Sequence, residues 1–138
     1  MAQLVSDYAR MWPREIFDVM EEGRKKLFLR GRHDLDQPGV YILYRDEHPY
    51  YVGQAKSLYR RLHDHANKST DRYFNFWNYF SAFVVPNPEQ LDEVEGILIA
   101  SMPTANRAVP RLHLIEFPPE AAKVLRSARR RRLGLDAR

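Results

Sequence analysis

With 138 residues, 44% of them hydrophobic, the chain suits one globular domain with a real core plus short extensions. It has no cysteine, which excludes a disulfide framework, a thiolate zinc site and a cysteine nucleophile. No apolar run approaches the ~18 residues of a membrane span and the start lacks a signal-peptide pattern, so a cytoplasmic protein with no membrane partner is expected. The net charge of +4 is uneven: residues 121–138 hold seven cations against Asp136 alone, +6, which leaves −2 for everything before them.

In chain order, the first segment reads as helical, with Pro13 in the first turn, Gly23 placed to end it, and Ile16, Val19 and Met20 as a short apolar face. Arg24 to Arg32 then hold five cations in nine residues, either a solvated turn or a contact to a phosphate backbone. The next stretch, Gly39 to Gly53, reads as a hairpin. Its strands, Val40–Tyr44 and Tyr50–Gly53, are rich in β-branched and aromatic residues, and residues 45–49 form a polar turn. Each strand carries a Gly/Tyr/Val triplet, Gly39-Val40-Tyr41 and Tyr51-Val52-Gly53, which an antiparallel pairing brings together with glycine beside the phenols.

Ser57 caps a helix expected to run to Ala66 or Asn67, with Leu58 and Leu62 as its buried stripe. On a helical wheel Arg61 and His65 border that stripe, four residues apart on one face, whereas Arg60 points away. The aromatic segment from Tyr73 to Phe83 feeds a third strand at Phe80–Val85; most of its rings are assigned to the core, with Tyr73 and Trp77 left between core and base stacking. Asn87-Pro88-Glu89 starts a helix through Ala100 or Ser101 in which Glu95 falls inside the apolar face of Leu91, Val94, Leu98 and Met102. A carboxylate there needs a partner, either a cation or a metal. Asn106 follows a proline-containing bend and suits either an orienting role or a simple Asx-turn. Pro118-Pro119-Glu120 opens a last helix that ends in Arg129, Arg130, Arg131 and Arg132.

The two triplets, followed in order by Arg61, His65, Glu95 and Asn106, resemble the signature of the GIY-YIG endonuclease family, with valine for isoleucine in both triplets. The resemblance covers residues 38–110 and implies an α/β (α+β) fold, a small three-stranded antiparallel sheet flanked by helices. Residues 1–37 are then an N-terminal helical extension and 111–138 a C-terminal extension with the Arg-rich helix. It implies metal-dependent hydrolysis of phosphodiester bonds in DNA, duplex or branched, with Glu95 as ligand of one Mg²⁺ or Mn²⁺ and Arg61 stabilising the phosphate charge. Tyr41 is the implied general base, aided by Tyr51 or His65; the alternative has His65 as base and Tyr41 orienting water. Lys56, Arg60 and the Arg129–Arg132 run become candidate DNA contacts. Gln54 stands where several members carry a lysine, which puts a lysine-assisted step in doubt although Lys56 is near. A reading from another class keeps the scaffold and the basic tail but makes the chain a non-catalytic nucleic-acid-binding or partner-recruiting module.

Overall fold

The run Gly39–Leu43 is apolar at every position, which a strand tolerates only when both faces of its sheet are covered. The computed structural model, which describes residues 3–18, 34–71, 73, 76–104, 106 and 118–134, places this run inside a four-stranded antiparallel sheet of order β1-β4-β2-β3. The strands are β1 (Asp7–Pro13), β2 (Gly39–Arg45), β3 (His48–Ala55) and β4 (Tyr79–Val84). Helix α1 (Leu58–Asn67) packs on one face and α2 (Leu91–Ser101) on the other. A third helix, α3 (Pro119–Arg132), follows near the C-terminus.

Alternation along β2 divides its side chains between two cores. Tyr41 and Leu43 join Leu58, Leu62, Trp77 and Phe80 beneath α1, whereas Val40 and Ile42 join Val52, Leu91 and Val94 beneath α2. Trp77, 1% exposed, is thus a core residue. Gly39 is required by close packing: a Cβ there would overlap both the Phe83 carbonyl and the Leu58 side chain.

The helix boundaries agree with the caps. Ser57 Oγ accepts from the Arg60 amide at 3.3 Å, and Asn87 Oδ1 accepts from the Glu89 amide at 3.1 Å at the start of a 3₁₀ turn, Pro88–Gln90, that runs into α2. The hairpin is tighter than expected, turning at Asp46 and Glu47. Asp46 adopts φ 58° and exchanges hydrogen bonds with the Asn78 side chain at 2.7 and 2.9 Å.

Two expectations are corrected. The sheet has four strands instead of three, and residues 7–13, expected within a helical extension, form the additional strand, paired with β4. The cause is a β-bulge: the register slips between Ala9 and Trp12, Met11 takes φ 52°, and its amide donates to Ser81 Oγ at 3.1 Å. The inward residues Ala9 and Trp12 are therefore three apart, which breaks the two-residue alternation by which a strand is read. Only a short 3₁₀ turn, Arg14–Phe17, follows Pro13. The remainder of the expected helix and the basic run from Arg24 to Arg32 lie outside the described residues, as does His113.

Candidate active site

The β2–β3 register sets Tyr41 opposite Gly53 and Leu43 opposite Tyr51. A Cβ at Gly53 would run into the Tyr41 hydroxyl and ring, so glycine makes the space in which the phenol lies. The Tyr41 and Tyr51 rings are 6.2 Å apart. Because Tyr44 pairs with Pro49, Tyr50 is the extra residue of a second bulge. Consecutive tyrosines thereby reach the same ring: Tyr51 stacks on Tyr73 at 4.4 Å and Tyr50 meets it edge-on at 6.2 Å.

Helix α1 supplies the next two groups. Its apolar stripe, Leu58 and Leu62, is fully buried against the sheet, and this fixes its rotation. His65, in the last turn, is 0% exposed, with Nε2 2.8 Å from the Tyr41 hydroxyl and Nδ1 2.8 Å from Asp71 Oδ1. Arg61, one turn earlier, is exposed but near enough to the Tyr41 phenol to act on its ionisation. Arg61 also lines, with Lys56, Ser57, Arg60 and Asp64, a cavity of about 240 Å³ at the start of α1.

These neighbours set the protonation states. Burial, then the adjacent Tyr51, pushes the Tyr41 phenol well above its ordinary value, against a downward pull from Arg61. Tyr51 is raised too, by burial and then by Tyr73 and Glu95. Burial lowers His65 despite the opposing Asp71 carboxylate, so the imidazole is neutral at pH 7. For Asp71, burial acts upward, but hydrogen bonds from His65 and the Tyr73 amide prevail and hold it below the usual carboxylate range.

Glu95 projects from α2, half-buried, and burial raises its carboxyl, with Asp92 adding to the shift and a hydrogen bond from Gln54 opposing it. Gln54 also donates to Asp92 Oδ1 at 2.7 Å. A desolvated carboxylate beside a second acid is a site that a hard dication favours. Among the described residues no three His, Cys, Asp or Glu side chains converge.

Asn106 has both amide atoms on the backbone of Val52, accepting from its N–H at 2.9 Å and donating to its C=O at 2.7 Å. It ties the chain beyond α2 to the outer edge of β3. Arg129, Arg130, Arg131 and Arg132 are exposed in the last turn of α3.

Residues 37–102 match the family model described as the GIY-YIG catalytic domain. The chain belongs to the GIY-YIG endonuclease family. Curated relatives include the UvrABC system protein C of Thermotoga sp. (strain RQ2) and of Thermotoga maritima, each 33% identical over 81 residues. Those residues are 59% of this chain but only 12% of either relative, so the chain spans a small part of their length. A solved relative is the N-terminal endonuclease domain of UvrC from Thermotoga maritima, bound to magnesium. It is 30% identical, the match covers 59% of this chain and 92% of that one, and the TM-score is 0.43.

Within this GIY-YIG domain the structure brings Tyr41, Tyr51, Arg61 and His65 into one cluster, with Glu95 close enough to Tyr51 to affect its ionisation. Sequence reasoning missed Asp71 and the Gln54–Asp92 pair. Asp71 ends the polar stretch Lys68-Ser69-Thr70-Asp71, which looks like solvated loop; the available signal was its place just past a helix that carries a buried histidine. Tyr73, left undecided by its sequence context, lies against both Tyr51 and His65.

Proposed function

We propose that this GIY-YIG domain is a metal-dependent endonuclease that hydrolyses phosphodiester bonds in DNA, with Tyr41, Tyr51, Arg61, His65 and Glu95 as its working groups. The observation that carries this reading is the 2.8 Å hydrogen bond between the buried Tyr41 hydroxyl and His65 Nε2, beside a guanidinium. A buried phenol with a raised pKa does not ionise at neutral pH unaided. His65, neutral and in direct contact, is the acceptor that relieves it of its proton, and Arg61 stabilises the phenolate that results. Tyr41 can then accept a proton from the attacking water. Both ring nitrogens of His65 are engaged, Nε2 with the Tyr41 hydroxyl and Nδ1 with Asp71, which favours Tyr41 over His65 as the group that meets water. Arg61, exposed on its outer side, is also placed to share the charge that grows on the phosphate. Glu95 is the residue that would hold a Mg²⁺ or Mn²⁺, which when bound supplies Lewis-acid stabilisation of phosphate and leaving oxygen. Asn106 acts through the β3 backbone, fixing the strand that carries Tyr51 and Gly53.

On this reading residues 38–110 carry the chemistry, β1 completes their sheet, and the basic runs of the flanks 1–37 and 111–138 contribute binding. Lys56 and Arg60, around the cavity that Arg61 also lines, and the α3 arginines are suited to phosphate contacts. The exposed Arg129–Arg132 run also supports the second reading, a non-catalytic module that binds nucleic acid.

Cleavage of a labelled panel of single-stranded, duplex, nicked, flapped and branched DNAs, plus RNA, with Mg²⁺, Mn²⁺ or EDTA separates the two. Glu95→Ala is expected to lower metal-dependent cutting at least ~100-fold while leaving binding within a few-fold. DNA binding without cutting of any substrate favours the module.

A further inference from the structure

The buried chain Tyr41–His65–Asp71 contains one group whose chemical character decides the other two. Asp71 Oδ1 receives the Tyr73 backbone amide at 2.8 Å, and the Asp71 amide donates to the Lys68 carbonyl at 2.9 Å. The carboxylate is therefore held by its own loop, independently of the imidazole. An ionised carboxylate only accepts hydrogen bonds, so His65 Nδ1, 2.8 Å away, must carry the hydrogen. A neutral imidazole has one N–H, which leaves Nε2 as a lone pair directed at the Tyr41 hydroxyl, 2.8 Å away. In the opposite tautomer Nε2–H would donate to the phenol oxygen, and the phenol would have no acceptor for its proton.

We propose that Asp71 is the positioning residue of the site, holding His65 in the Nδ1–H tautomer so that bare Nε2 takes the Tyr41 phenolic proton. This rests on the nuclease reading for its catalytic consequence, not for the tautomer itself. In the step, the Tyr41 O–H bond breaks and an Nε2–H bond forms. The phenolate is left beside Arg61 and the imidazolium beside Asp71, so both new charges are paired. The other charged or titratable groups acting on His65 are Arg61 and Asp64 from its own helix, with the Tyr73 ring against its face.

The test is the ring ¹⁵N spectrum of His65 in the full-length, metal-free protein at pH 7.5, for wild type, Asp71→Asn and Asp71→Ala. Wild type is expected to show protonated Nδ1 and bare Nε2. In Asp71→Asn the Tyr73 amide still requires an oxygen at that position, so the tautomer persists. In Asp71→Ala it becomes mixed or reverses. In cleavage, Asp71→Ala is expected to lose about 10- to 100-fold in kcat with KM little changed, and Asp71→Asn to recover part of it. Protonated Nε2 in wild type overturns the proposal, as does an Asp71→Ala spectrum that keeps the wild-type tautomer. If Asp71→Ala does not fold, the wild-type and Asp71→Asn spectra decide: the Nδ1–H form in both supports the proposal, and Nε2–H in either overturns it. If no variant cuts DNA but the tautomer depends on Asp71, the nuclease reading fails alone.

Discussion

At Gly53 the absence of one carbon decides whether the site exists. A methyl group there must share space with the Tyr41 phenol, which is hemmed in by Tyr51 and by His65. Gly53→Ala is expected to cost about 1–3 kcal/mol in urea unfolding, as overpacking does, and to break the Tyr41–His65 hydrogen bond. His65 gives a second consequence at this scale. Its folded-state pKa lies below the ordinary ~6.5 because of burial, so the unfolded chain binds the proton more readily. The stability this contributes is complete above about pH 6.5 and is lost as pH falls through the depressed folded value. Unfolding followed from pH 7.5 to 5 should show wild type weakening more steeply than His65→Gln; parallel curves would mean that His65 is not buried neutral.

Elements were legible where pattern and chemistry coincided. The central hairpin announces itself through β-branched and aromatic runs punctuated by glycine, α1 through Ser57 and its leucine stripe, and α2 through Asn87-Pro88. The first strand was not legible, because its bulge moves Trp12 out of a two-residue rhythm, and pairing with β4 over such a distance in sequence leaves no local trace. Asp71 was invisible for a related reason: its partners, His65 and the Tyr73 amide, are defined by the way the loop folds back. The tie from Asn106 to β3 is likewise tertiary. Removing it by Asn106→Ala leaves the Val52 amide and carbonyl without those bonds, at a cost of about 1–3 kcal/mol. Hydrogen exchange at the Val52 amide should accelerate, with the amides of β2 far less affected. Unchanged exchange at Val52 would show that the strand edge does not depend on the side chain.

For the molecule as a whole, the densest run of charge is separate in sequence from the chemistry. Tyr41, Tyr51 and His65 cluster on the α1 face of the sheet, whereas four consecutive arginines form the last turn of α3. Replacing Arg129, Arg130, Arg131 and Arg132 by glutamine should weaken DNA binding and lower the slope of log affinity against log salt by up to about 3–4, since each phosphate neutralised contributes about 0.9. Cleavage at saturating DNA should change little. Among the described residues no helix is long and apolar enough to cross a membrane.

The Asn106 side chain has an effect beyond the protein's own stability. Outermost among the described strands, β3 turns the N–H and C=O of Val52 away from β2, and such a pair is what one sheet offers to the strand of another molecule. An amide side chain, whose donor and acceptor copy those of a peptide, already fills that place. The same residue that steadies the strand beside the phenols thus also occupies the donor and acceptor that an incoming strand would need at Val52.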